Sequence, residues 1–151
     1  MKNAGLLFAA LFSLSTLSCK KDKVSPQTKE TLQNKWTLIS SSLTFPTNTS
    51  LNSYYKGIST DYYFFREDDS LEINQAGQVN LLTMPLFVKV KYNIVSNSTI
   101  NYLGGGNPVP IKIRMLSNNL LVLSNDASAT FINADNSTTV YNGTKVDSLS
   151  R

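Results

Sequence analysis

The sequence contains no histidine and a single cysteine, Cys19. Without histidine the chain lacks the side chain that most often moves protons near neutral pH. One thiol admits no internal disulfide and, with histidine absent, none of the common zinc ligand sets. Long apolar runs are missing too: the longest, Leu6 to Leu17, spans about a dozen residues, whereas a membrane-crossing helix needs roughly 20. Positive charge is scarce where a nucleic acid would need it. Of the formal +4, Lys2 holds one charge, residues 20–34 hold a net +2, and residues 35–151 carry nine bases against eight acids. The long C-terminal part is nearly neutral, which argues against nucleic-acid binding. The positive excess lies beside the N-terminal apolar run, where it faces anionic head groups if that end is at a membrane.

What is present at the N-terminus is an export address. Lys2 makes a positive start, Leu6 to Leu17 an apolar centre, and Ser18 a small residue before Cys19. The run Thr16-Leu17-Ser18-Cys19 resembles the lipobox of bacterial lipoproteins, with Thr16 where leucine is commonest. The resemblance implies removal of residues 1–18 as a signal peptide and acylation of Cys19 with palmitate-type chains, and two or more such chains anchor a protein stably. It also implies an outer-membrane, cell-envelope location, because Lys20 and not aspartate follows the cysteine. Residues 19–34 are then a lipidated tether, in which Ser25-Pro26 predicts a short helix with serine as its cap and proline at its first position.

Ser, Thr and Asn make up about a third of the chain, and Tyr, Phe, Val and Ile hold the apolar positions, a balance that favours strands and turns. From Lys35 short alternating runs recur. Trp36 and Leu38 share one face of the first strand, residues 45–57 read as a long connection, and a second strand runs from about Ile58 to Arg66 before the turn Glu67-Asp68-Asp69-Ser70. Val88, Val90, Tyr92 and Ile94 oppose Lys89, Lys91 and Asn93; Val109, Ile111, Ile113 and Met115 oppose Lys112 and Arg114. After Leu120-Leu121-Val122-Leu123 the remainder reads as one long pair or three short pieces, with Asn142-Gly143 a turn or a bulge. About eight strands with short turns predict an all-β fold, an antiparallel up-and-down barrel over residues 35–151, since closure removes exposed edges.

The motifs Leu32-Gln33-Asn34-Lys35-Trp36-Thr37-Leu38, Tyr63-Phe64-Phe65-Arg66-Glu67-Asp68-Asp69-Ser70-Leu71, Tyr92-Asn93-Ile94, Leu116 to Leu123 and Leu149-Ser150-Arg151 resemble, in that order, the lipocalin-like domains of Bacteroidetes lipoproteins. The resemblance implies that Trp36 closes the barrel floor beneath Arg151. It further implies a non-enzymatic binding module for a small apolar ligand, or else an envelope scaffold whose filled barrel offers loops 45–57 and 104–108 to a protein partner.

Within a barrel, Tyr62-Tyr63-Phe64-Phe65 puts two aromatics on each face. A two- or four-residue turn sets Phe64 opposite Ile73, and a three-residue turn sets Phe65 there, so parity stays open. We count Tyr62 and Phe64 with Val90, Tyr92, Ile100, Tyr102, Ile111, Ile113 and Met115 as lining a ligand space, against the alternative that they fill a core. No cofactor and no metal is expected: Gly104-Gly105-Gly106 lacks the Lys-Ser/Thr of a phosphate loop, and Asp68, Asp69 and Glu72 read as a solvated turn. Asp69-Ser70-Leu71 and Asp147-Ser148-Leu149 resemble O-glycosylation acceptor motifs.

Overall fold

The computed structural model describes residues 24–76, 86–104 and 106–151. The signal segment 1–18, Cys19 and Gly105 lie outside the described residues. The elements run α1 (Pro26–Leu32), β1 (Lys35–Thr44), β2 (Ser53–Lys56), β3 (Tyr62–Phe65), β4 (Ser70–Gln75), β5 (Leu86–Ser96), β6 (Thr99–Leu103), β7 (Val109–Leu116), β8 (Leu120–Ile132) and β9 (Thr138–Ser150). From β3 to β9 each strand pairs antiparallel with the next, and β1 joins both β3 and β9, so eight strands close into a barrel with β2 added along β1. Closure gives each of the eight strands a neighbour on both sides, while residues 86–90 of β5, 125–132 of β8 and 138–143 of β9 pair on one side only.

The long first strand works because its residues change partner along one edge. Lys35 to Thr37 pair with β3, and Ser40 to Leu43 pair with β2. Between these stretches the β1–β9 register slips by one residue at Ile39, so the inward series runs Trp36, Leu38, Ser41, Leu43. Residues 57–61 bend around that bulge: the Gly57 amide donates to the Ile39 carbonyl and the Leu38 amide to the Asp61 carbonyl. A Cβ on Gly57 would sit 1.9 Å from the Leu38 carbonyl oxygen, which is why glycine stands there. The expected long connection 45–57 therefore contains a strand, β2, and the expected strand 58–66 shortens to Tyr62–Phe65.

Of the two readings of the chain's tail, the long pair is the one formed: it is one hairpin, its 13-residue strands β8 and β9 paired from Leu120–Ser150 to Ile132–Thr138. Asn142 and Gly143 pair with Ser128 and Ala127 inside that ladder, so they make neither a turn nor a bulge. Gly143 is needed there because β1 passes close by; an added Cβ would lie 2.4 Å from the Thr44 carbonyl oxygen and 2.7 Å from the Phe45 ring. The predicted tether is also more than a leash. Helix α1 lies on the barrel with Leu32 fully buried. Ser25 holds the cap position but makes no side-chain cap; its amide donates to Asn97 Oδ1, and so does the Thr28 hydroxyl, pinning α1 to the β5–β6 turn.

Below mid-height the barrel is solid. Leu32, Trp36, Phe65, Leu71, Tyr92, Ile100, Leu121 and Leu149 interlock there, each at most 1% exposed. The Phe65 and Tyr92 rings meet edge to face at 5.3 Å, a contact worth about 0.5–1.5 kcal/mol beyond its area. A second cluster, Leu43 and Phe45 with Leu51, Ala127, Ala129 and Tyr141, fastens the long hairpin to β1.

Candidate functional site

The candidate site is the upper interior, and its two walls differ. On the β1–β9 side, register and parity turn Ser41, Lys145 and Asp147 inward, and Tyr63 reaches them across β1. The Asp147 carboxylate accepts from the Ser41 hydroxyl through Oδ1, and through Oδ2 from the Tyr63 hydroxyl at 2.8 Å and the Lys145 ammonium at 2.8 Å. Lys145 also donates to the Tyr63 oxygen at 3.2 Å. Asp147 is almost fully buried, while the Lys145 side chain keeps 24% of its surface exposed and faces the interior space. On the β5–β7 side the inward residues are apolar and open. Leu86 and Val109, which face inward at the rim, are 42% and 47% exposed, and below them Val88, Val90 and Tyr102 are only half-buried.

A second buried carboxylate holds the top of β3. Asp61 Oδ2 accepts from the Tyr55 hydroxyl at 2.6 Å and the Ile58 amide at 3.0 Å, and Oδ1 from the Ala76 amide at 2.8 Å. Burial pushes its carboxyl up, but the Ala76 amide, the Tyr55 hydroxyl and the Ile58 amide together outweigh that and hold it below its ordinary 3.8. Tyr63 is displaced the other way. Burial first, then the charge of Asp147, the neighbouring Tyr102 and its own bond to Asp147 push its phenol well above the ordinary 10.0. Burial and the Asp147 charge raise Tyr102 as well.

These shifts predict where stability is lost. Asp61 binds its proton less tightly folded than unfolded, so its contribution is present above the ordinary 3.8 and disappears as pH falls through its lowered folded value. Tyr63 and Tyr102 bind theirs more tightly when folded, so their contribution is complete below 10.0 and disappears as pH rises toward the raised values. Melting temperature measured across pH should form a plateau that falls at both ends. Tyr63→Phe should move the alkaline limb and leave the acid limb in place.

The residues expected to line a ligand space are distributed as follows. Tyr62 and Phe64 point outward, a correction of the inward pair: Lys35 covers Tyr62 at 3.9 Å and Arg66 covers Phe64 at 4.4 Å. The turn supplies the reason. Its loop is residues 67–69, with Asp69 at φ 58° and Arg66 paired to Ser70, so Ile73 faces Tyr63, Leu71 faces Phe65, and the odd-numbered aromatics turn inward. Met115 is also corrected to the outside, 51% exposed, because Arg114 forms a bulge between Ile113 and Met115 and passes the inward place to Leu116. Tyr92, Ile100, Ile111 and Ile113 fill the core, and Val90 and Tyr102 stand in the open wall. Trp36 is buried on the floor; its indole N–H donates to the Leu32 carbonyl at 3.0 Å, and the Arg151 guanidinium lies 5.3 Å from its ring.

Asp68 takes the Ser70 hydroxyl and amide, and Glu72 pairs with Arg66 at 2.9 Å and Lys89 at 3.4 Å. Ser70 is thus buried and engaged, which removes it as a glycosylation acceptor in the folded chain; Ser148 is half-buried within β9. Sequence reading missed Ser41, Asp61, Lys145 and Asp147. Their only local signal was a polar residue inside an alternating run, which does not say which face is wet. Comparison of the chain with protein-family models, curated proteins and solved structures gave no match.

Proposed function

We propose that this chain is a lipid-anchored lipoprotein of the outer membrane and that its barrel is a non-enzymatic binding module for a small apolar ligand. The carrying observation is the open apolar wall. Leu86, Val88, Val90, Tyr102 and Val109 face inward and keep exposed surface around the short β6–β7 hairpin, an apolar lining that suits a ligand entering at the rim. The anchor half of the reading rests on the lysine-led apolar segment ending in Ser18-Cys19. The lipocalin-like assignment belongs to the same reading and draws support from the closed up-and-down barrel and the Trp36–Arg151 stack. A binding role rather than catalysis fits the carboxylates, since Asp61 and Asp147 each already hold three donors. Near-neutral charge in the folded part fits a partner other than nucleic acid.

Metabolic labelling with palmitate should mark the protein and fail in Cys19→Ser; label retained in that variant would refute the anchor. An environment-sensitive apolar probe should be taken up saturably, and uptake without saturation would refute the binding module. The envelope-scaffold reading has an observation of its own: Ile132 and Val140, at the far end of the long hairpin, are 78% and 54% exposed. Site-specific crosslinking from position 132 in cells distinguishes it.

A further inference from the structure

We infer that the barrel is built for an uncharged, hydroxyl-bearing apolar molecule, of the long-chain alcohol or acylglycerol class, and discriminates against carboxylates and other anions. The inference deepens the ligand-binding proposal and rests on it.

The charged groups of the interior are net negative. Among the described residues the inward-facing ionised groups are Asp61, Asp147 and Lys145, two anions against one cation. Lys145 is not available as a free counter-charge, because Asp147 already holds it at 2.8 Å. Among the described residues of the open end no replacement is offered: 45–52, 104 and 106–108 contain no ionisable side chain, and residues 133–137 contain only Asp135. A carboxylate entering this space would lose its water and meet a net negative wall of low polarisability, a cost no group there offsets.

Hydrogen-bonding capacity, in contrast, is in place. An ammonium has three protons; Lys145 commits two, to Asp147 and Tyr63, and its side chain, on the inward face of β9, stays partly exposed. Tyr102 stands inward on the facing wall, close enough to Asp147 for that charge to act on its phenol. A ligand hydroxyl can accept from Lys145 and donate to a phenol oxygen without changing the charge balance. Its hydrocarbon part would lie along Val88, Val90 and Val109 and reach toward the rim at Leu86.

Equilibrium dialysis of the full-length protein against radiolabelled dodecanol and dodecanoate tests this, the alcohol below its solubility limit, the acid below its micelle concentration, and both at about pH 8, where the acid is ionised. Dodecanol should bind about tenfold or more tighter. Dodecanoate binding as tight or tighter would overturn the inference and leave the binding module standing. Uptake of neither would overturn both. Asp147→Asn removes one interior anion, keeps an acceptor for Ser41 and frees the Lys145 charge, so it should shift the preference about tenfold toward dodecanoate. An unchanged preference in the folded variant would overturn the electrostatic argument. Lys145→Gln, which removes the one inward-facing cation among the described residues, should widen the preference and serves if the first variant does not fold; a preference it left unmoved would likewise overturn the electrostatic account.

Discussion

Asp147→Ala should lower the free energy of unfolding by about 3–5 kcal/mol, the range for removing one partner of a buried ion pair. The size follows from what the carboxylate holds. Ser41, Tyr63 and Lys145 all donate to it, so its loss leaves two hydroxyls and an ammonium facing apolar neighbours. Lys145→Met should cost less, about 1–2 kcal/mol, because the ammonium is partly in water and Asp147 keeps both hydroxyl donors. Denaturant unfolding of the two single variants and the double variant measures the coupling between them. A loss below about 1 kcal/mol for Asp147→Ala would mean that water already reaches the carboxylate and that the upper interior is wetter than the geometry shows.

The floor should respond as strongly. Trp36→Ala is expected to cost about 3–5 kcal/mol, the range for deleting a large aromatic side chain from a core. Trp36 is the largest side chain among the fully buried ones and also ties down the helix, since its indole N–H satisfies the Leu32 carbonyl at the end of α1. Losing it should therefore do two things: drop the denaturation midpoint and expose residues 24–34 to protease in the still-folded protein. Trp36→Phe should keep part of the packing and lose the hydrogen bond, at about 1–2 kcal/mol. Arg151→Ala should cost well under Trp36→Ala, because the guanidinium is exposed and a solvent-exposed cation stacked on an aromatic ring contributes about 0.5–1 kcal/mol. If α1 stays protected in Trp36→Ala, Leu32 and the Asn97 contacts hold the helix without the indole.

Class and core were legible because side-chain alternation is a local property. Val88-Lys89-Val90-Lys91-Tyr92 shows its two faces within five residues, and Ile111-Lys112-Ile113-Arg114 does the same, so those strands and the inward places of Tyr92, Ile100, Ile111 and Ile113 could be read directly. The reading failed where a single residue shifts parity. Arg114 bulges and ejects Met115, Ile39 bulges and turns Ser41 inward, and a three-residue loop turns Tyr63 and Phe65 inward in place of Tyr62 and Phe64. A one-residue slip exchanges the two faces of everything that follows it, and nothing in the composition of a short run announces the slip.

The alternating pattern alone settled that this chain would roll an apolar surface inward, and the lack of histidine alone excluded the commonest proton-transfer chemistry. Closure of β1 on β9 settled the rest. It brings Ser41 to Asp147 across 106 positions and Tyr63 to Asp147 across 84, creating a buried charged cluster that no neighbouring residues specify. Local pattern tells which side chains avoid water, but which polar groups share the interior depends on partners distant in the chain, and only the closed sheet selects them.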